Sequence, residues 1–320
     1  MPARLHKEQG LTAVPDAPCN NKSVKLQSGL VIVNYGKNQL VEAADGEIHR
    51  CVARRGLPQL VCGDEVEWQT TGEHTGVIET LLPRRTVLLR ADGNKGHRPI
   101  ATNIDQVIIE AALVPVLDYH LIDKYIVAAE LANTTPLVVI NKSDLIQPKD
   151  RDRIDRLISE YRNIGYTVLL TSALENTGIE EFIACLTHKT SILVGQSGVG
   201  KSSLIKRLLP ERDIAVGKLS AASGLGKHTT TSTTLYHLPR GGKLIDSPGV
   251  RDFHLGEVDG SDLASGFREF QPYLGQCKFN DCRHLSEPGC AINAAVAEGN
   301  VLERRMESFR RLLQPEKYKL

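Results

Sequence analysis

The chain of 320 residues has no apolar run long enough to cross a bilayer: its longest runs, such as Thr135 to Ile140, fall far short of the ~20 residues a spanning helix needs. Its start, MPARLHKEQGLTAVP, has no apolar stretch behind its charges, so no secretory signal and a cytoplasmic location are expected. Net charge is almost absent, +1 at pH 7, which leaves RNA contact to local patches rather than to bulk attraction. A disulfide framework is lacking too. The seven cysteines are an odd number, and three crowd into Cys277 to Cys290, which suits metal ligation in a reducing compartment. What remains is an ordinary globular composition, 41% hydrophobic and 24% charged, in a chain too long for one typical core.

Three parts follow a loose tail over residues 1–22. Over 23–100, short β-type runs separated by turn residues (LVIVNYG, GEIHRCVAR, GDEVEWQ, GVIETLL, TVLLR) predict a small barrel, and their number, about five, favours an OB-like one over another compact β fold. Over 101–254, buried apolar strands (VIIEAAL, PLVVI, TVLL, SILVG, KLIDSPG) alternate with amphipathic helices, the pattern of an α/β domain with a doubly wound, mainly parallel sheet. Glu211 to Thr234, rich in Gly, Ser and Thr, reads as a mobile loop. Over 255–320 the pattern is mainly helical and too small for a good core, so a metal would supply the missing stability.

The middle part carries the chemistry. Gly195, Gln196, Ser197, Gly198, Val199, Gly200, Lys201 and Ser202 follow the strand SILV and open a helix at Ser203, the context of a phosphate loop. Its backbone N–H groups would surround phosphates, Lys201 would reach the β- and γ-phosphates, and the Ser202 hydroxyl would ligand Mg²⁺. Asp246-Ser-Pro-Gly249 ends another strand, where the Asp246 carboxylate can hold Mg²⁺ through water and the Gly249 N–H can sense a γ-phosphate. Asn141, Lys142, Ser143 and Asp144 follow PLVVI. There a carboxylate at Asp144 can accept the N1–H and 2-amino donors of guanine, a pair that adenine does not offer. Thr171, Ser172 and Ala173 after TVLL would present a backbone N–H to guanine O6. GTP and GDP are therefore the expected ligands.

In the last part, Cys277, Cys282, His284 and Cys290 offer three thiolates and an imidazole, a full tetrahedral set for one structural Zn²⁺ with no open position for catalysis; reduced, partly buried cysteines are the alternative. Cys19, Cys51, Cys62 and Cys185 are scattered and read as small apolar residues. Arg50, Arg54, Arg55, Arg84, Arg85 and Arg90, with Lys278, Arg283, Arg304, Arg305, Arg310 and Arg311, are candidate phosphate partners on an RNA-facing surface, or simply solvated charge.

The order of the motifs is unusual. Both base-reading motifs precede the phosphate loop, and no second Asn-Lys-x-Asp follows Gly249, so the domain reads as a circular permutation, feasible because domain termini often lie close together. The series NKSD, TSA, GQSGVGKSS, GLGKHTTT and DSPGVRDF, between a β domain and a cysteine cluster, resembles the ribosome small subunit-dependent GTPase A family from about Ser23 onward. That resemblance implies a GTPase that binds the small ribosomal subunit and its rRNA late in maturation, is stimulated by it, and carries an OB-fold, a permuted GTPase domain and a zinc domain. A monomer is expected. Many relatives begin with a long basic extension, whereas the start here, with Arg4, Lys7 and Lys22, is only mildly basic.

Val250 stands where Ras-like proteins place a water-orienting glutamine after Asp-x-x-Gly, so another group must hold the attacking water. The nearest candidate is His228, beside Thr229 and Thr230, one of which should join Mg²⁺ in the GTP state; Thr230 is taken as the ligand. A non-catalytic nucleotide-sensing scaffold is the competing reading, and an ATP-dependent enzyme is disfavoured by Asp144.

Overall fold

A computed structural model describes residues 26–91, 97–211, 233–247 and 260–314. Five strands, β1 (Gln27–Asn34), β2 (Asn38–Ala43), β3 (Ile48–Ala53), β4 (Glu65–Gly72) and β5 (Thr75–Leu81), close into a barrel in the order β1-β2-β3-β5-β4-β1, with β3 and β5 parallel and the other pairs antiparallel. Trp68 fills its interior with Val31, Val41, Cys51, Val66 and Ile78 around it. Gly29 and Gly76 leave the room that ring needs: a Cβ on either would lie within 2.7 Å of the indole.

The expected count of five holds, but its membership changes. β2 was not among the predicted runs because Gln39 interrupts its apolar pattern, yet Gln39 is buried, donating to Gly36 O at 2.8 Å. TVLLR instead contributes to β6 (Val87–Ala91), which pairs with β7 (His97–Thr102) in a separate two-stranded sheet at the joint between barrel and nucleotide domain.

The nucleotide domain is a sheet in the order β10-β9-β8-β11-β13-β12. Its parallel strands are β8 (Gln106–Ala112), β9 (Thr135–Asn141), β10 (Thr167–Leu170), β11 (Thr190–Gly195) and β13 (Lys243–Asp246). β12 (Thr234–His237), hidden in sequence beside a Ser/Thr run, is antiparallel to β13 and touches β1 through Thr234 and Val33, so one sheet continues into the barrel. Every residue of β8 is buried, as expected for a parallel strand covered on both faces.

Local chemistry sets the helices. Asp118 caps α1 (Tyr119–Leu131) by accepting from Leu121 N at 3.1 Å. α2 (Pro148–Ile164) starts on proline and stops at Gly165 in the left-handed region. α3 (Ile179–Leu186) and α4 (Lys201–Leu208) complete the domain. Beyond it, the described residues form helices Gly260–Ser265, Ala291–Ala297 and Glu303–Leu313, the last two separated at Gly299, around a small core of Phe267, Phe270, Ile292, Met306 and Phe309. No described helix is long and apolar enough to cross a membrane. The loop expected over Glu211 to Thr234 lies, for residues 212–232, outside the described residues.

Candidate nucleotide and metal sites

β8, β9, β11 and β13 are parallel neighbours, so their carboxyl ends share one edge of the sheet. The phosphate loop leaves that edge after Gly195 and re-enters structure at Lys201, the first residue of α4. Gly200 holds φ at 122°, and a Cβ there would stand 2.2 Å from Asn141 Nδ2, so only glycine lets the loop approach the base-reading segment. Lys201 Nζ donates to Gly195 O at 2.7 Å and Gln196 O at 2.5 Å, which folds the ammonium over the loop that it would serve. Val199 is buried inside the loop, whereas Gln196, Ser197 and Gly198 face outward with Ser202 and Ser203.

Asn141 braces the site. Its Nδ2 donates to Glu110 Oε1 at 2.9 Å and Val199 O at 3.2 Å, while its Oδ1 accepts from Thr171 Oγ1 and Ala173 N, both at 3.3 Å. One buried amide thus joins the phosphate loop to the Thr171–Ala173 loop. Lys142 takes a left-handed conformation, φ 60°, and donates to Gly198 O at 2.6 Å and Val114 O at 2.9 Å, so its stem lies across the phosphate loop. Ser143 N donates to Thr171 O at 3.0 Å. Ser172 Oγ donates to Asp144 Oδ1 at 2.5 Å and accepts from Glu175 N at 3.0 Å, which orients the half-buried carboxylate. The residues expected to read base and phosphates are therefore joined by hydrogen bonds.

Asp246 ends β13 at the same edge, and its carboxylate and the Ser202 hydroxyl are oxygen donors of the hard kind that Mg²⁺ prefers and could hold it. Ser247 Oγ and Thr233 Oγ1 are 2.8 Å apart beside it. His228, Thr229, Thr230, Gly249 and Val250 lie outside the described residues.

At the far end of the chain, the ligand atoms of Cys277, Cys282, His284 and Cys290 lie within 4.8 Å of one another. Cys277 Sγ and Cys290 Sγ are 3.9 Å apart, and each is 3.5 Å from His284 Nδ1. A tetrahedral Zn²⁺ with bonds of ~2.3 Å to sulfur and ~2.0 Å to nitrogen requires edges of about 3.8 and 3.5 Å, so the donor set fits that ion. Burial, with the Cys277 and Cys290 sulfurs beside it, pushes the Cys282 thiol up to about 12, and a cation is what would make thiolates affordable there.

The model of the family described as RsgA GTPase matches residues 81–256. The chain belongs to the RsgA GTPase family. A relative named Small ribosomal subunit biogenesis GTPase RsgA, from Haemophilus influenzae (strain 86-028NP), is 47% identical over 292 residues, covering 90% of this chain and 84% of its own. One of the same name from Chromohalobacter salexigens is 48% identical over 289 residues, covering 89% and 85%. Among solved structures, YjeQ from Thermotoga maritima is 30% identical with a TM-score of 0.75, covering 92% of this chain and all of that one. YloQ, described as a circularly permuted GTPase, is 25% identical with a TM-score of 0.73, covering 95% and 99%. As a member of the RsgA GTPase family the chain is a GTP hydrolase with a permuted motif order.

Two features of this family member were not anticipated. Glu110 in β8 is 1% exposed, bonds Asn141, and has its pKa raised by burial to about 7. Its only trace in sequence is a single acid within VIIEAAL. The arginine surface also changes. Arg305 is fully buried against Asp123 and Glu269, and Arg304 is bound to Asp123 and Glu160, so both serve the fold instead of facing RNA. Arg54, Arg84, Arg85, Arg310 and Arg311 are paired with Glu79, Asp64, Asp105, Glu303 and Glu307. Arg54, Arg85 and Arg311 are exposed despite these pairs, Arg50, Arg55, Lys278 and Arg283 are exposed as well, and the side chain of Arg90 lies outside the described residues. Cys51 and Cys62 are ordinary buried thiols, and burial pushes Cys51 up to about 12.

Proposed function

We propose that the chain hydrolyses GTP during late maturation of the small ribosomal subunit, that the subunit stimulates hydrolysis, and that hydrolysis times its own release. The hydrogen-bonded union of base-reading and phosphate loops through Asn141 carries the nucleotide half of this reading. Relatives named for small-subunit biogenesis carry the other half.

In this reading Asp144, oriented by Ser172, accepts both guanine donors, and a backbone N–H of Thr171–Ala173 meets O6. Lys201 leaves the loop carbonyls for the β- and γ-phosphates. Ser202, Thr230 and Asp246 would hold Mg²⁺, which supplies charge neutralisation of the leaving phosphates. His228, with Thr229 beside it, positions the water whose oxygen bonds the γ-phosphorus as the β–γ bridge breaks toward GDP; the Gly249 N–H follows the γ-phosphate. Cys277, Cys282, His284 and Cys290 would hold one structural Zn²⁺. A tail to residue 22, a barrel to about 100, the GTPase domain to about 254 and the zinc domain beyond divide the labour, with exposed Arg50, Arg55, Lys278 and Arg283 toward rRNA.

GTP turnover with isolated small and large subunits tests this. Phosphate release stimulated by the small subunit alone supports it; GTP-dependent binding without turnover would make the chain a sensing scaffold.

A further inference from the structure

Glu110 lies at the centre of the nucleotide edge, paired through β8 with Gly195 on one side and Val139 on the other. Its Oε1 accepts from Asn141 Nδ2 at 2.9 Å, and its Oε2 is buried without a hydrogen-bond partner among the described residues. A Cβ on Gly200 would come within 3.0 Å of Oε1, so the carboxyl is held against the phosphate loop itself. A buried carboxylate with one hydrogen bond is costly, and its neighbours in β8, Ile108, Ile109, Ala111 and Ala112, are apolar. A structural filler at this position would be apolar as well. A group this expensive, touching the one amide that joins both loops, points to use.

We propose that Glu110 is a positioning residue of the nucleotide site, the buried acceptor that holds Asn141 against the phosphate loop when phosphates are bound. This rests on the reading of the nucleotide site given above. The charged groups facing Glu110 are Lys201 from α4 and Lys142 from the segment after β9. From α1 and its cap, Tyr125 and Asp118 share with it a cavity of about 10 Å³, the room of one water. Burial raises Glu110 to about 7, opposed first by the hydrogen bond from Asn141 and then by the two lysines. Bound phosphates draw Lys201 to themselves and add negative charge nearby, and both effects hold the proton more tightly. Binding therefore takes up a proton above pH 7, and affinity falls as pH rises through that range. Below it, Glu110 already carries the proton and adds no pH dependence.

The test is Mg·GDP binding to the full chain between pH 6 and 8.5, by calorimetry in buffers of different ionisation enthalpy, for wild type, Glu110→Gln and Glu110→Ala. Glutamine keeps an acceptor for Asn141 and cannot ionise. GDP's terminal phosphate titrates equally in every variant, so the difference between wild type and Glu110→Gln isolates Glu110. Wild type should weaken about three- to tenfold relative to Glu110→Gln across this range, since one proton gives at most tenfold per pH unit, and should show proton uptake. Glu110→Ala, checked by its melting curve, should bind more weakly at every pH. Identical pH profiles for wild type and Glu110→Gln would overturn the proposal, as would undiminished GDP binding by a folded Glu110→Ala. Lys201→Ala tests the site separately: if it binds GDP as wild type does, the nucleotide assignment fails rather than the role of Glu110.

Discussion

Arg305 Nη1 donates to Asp123 Oδ1 at 2.7 Å, and solvent reaches neither side chain. The pair joins helix Glu303–Leu313 of the C-terminal part to α1 of the nucleotide domain. Asp123 also accepts from Tyr161 Oη at 2.6 Å, Arg304 at 2.9 Å and Ser308 Oγ at 2.5 Å, while Arg305 Nε reaches Glu269 at 2.5 Å. Removing the carboxylate takes a partner from the fully buried Arg305 and from Arg304, Tyr161 and Ser308 at once, leaving Arg305 with Glu269 and Arg304 with Glu160. Asp123→Ala should cost about 3–5 kcal/mol in denaturant unfolding. Glu307→Ala, which breaks the surface pair with Arg311, should cost roughly 1 kcal/mol or less. Equal costs would show that Asp123 is not the anchor.

Asp144→Asn should move preference from guanine toward xanthine nucleotides, because the amide offers a donor where guanine presents N1–H. A lost charge-assisted hydrogen bond should weaken GDP by about 1.5–3 kcal/mol. Ser172→Ala removes the group that aims Asp144 and should weaken binding without altering base preference. Competition among GDP, XDP and ADP measures both; equal loss for guanine and xanthine would deny Asp144 its role.

That the candidate nucleotide loops meet was legible in sequence because their geometry demands particular residues: Gly200 cannot carry a Cβ, and Asn141 both donates and accepts. The barrel was legible in kind but not in membership, since Gln39 in β2 is polar by type yet buried by hydrogen bonds to its own turn. Glu110 and Arg305 were hidden for a shared reason. Their meaning depends on partners 31 and 182 residues away, and charge alone reads as surface.

Chelation of the Cys277, Cys282, His284 and Cys290 set should loosen the C-terminal part first. Cys290 belongs to the same small core as Phe267, Phe270 and Phe309, so helices Ala291–Ala297 and Glu303–Leu313 lose their support when the donors separate. One zinc per chain by elemental analysis is expected, with Cys282→Ser lowering that content and the melting temperature. Full zinc-free chain with an unchanged melting curve would remove the metal's structural role.

Glu110→Gln should also stabilise the chain in a pH-dependent way. The folded pKa is raised from an ordinary value of 4.5 to about 7, so the stability tied to the proton is fully present below 4.5 and lost as pH rises through about 7. Each pKa unit is worth about 1.4 kcal/mol, so wild type should fall behind the glutamine variant by about 3 kcal/mol between pH 4.5 and pH 8. Urea unfolding of both proteins at the two pH values checks this, and a constant gap would mean that Glu110 ionises normally.

His228→Ala should separate binding from chemistry. Val250 offers no side-chain hydrogen bond to the attacking water, and in the proposed reading Lys201 and Asp144 act on parts of GTP that His228 does not need to touch. A group that acts chiefly in the transition state leaves ground-state affinity intact and lowers turnover. Positioning of water by a single side chain is worth on the order of 10²-fold, so subunit-stimulated kcat should drop by about that factor while the Kd for GTP stays within about twofold. Stopped-flow GTP binding and single-turnover phosphate release, both with small subunits present, separate the two quantities. A weakened Kd with unchanged single-turnover rate would move His228 from the water to the nucleotide.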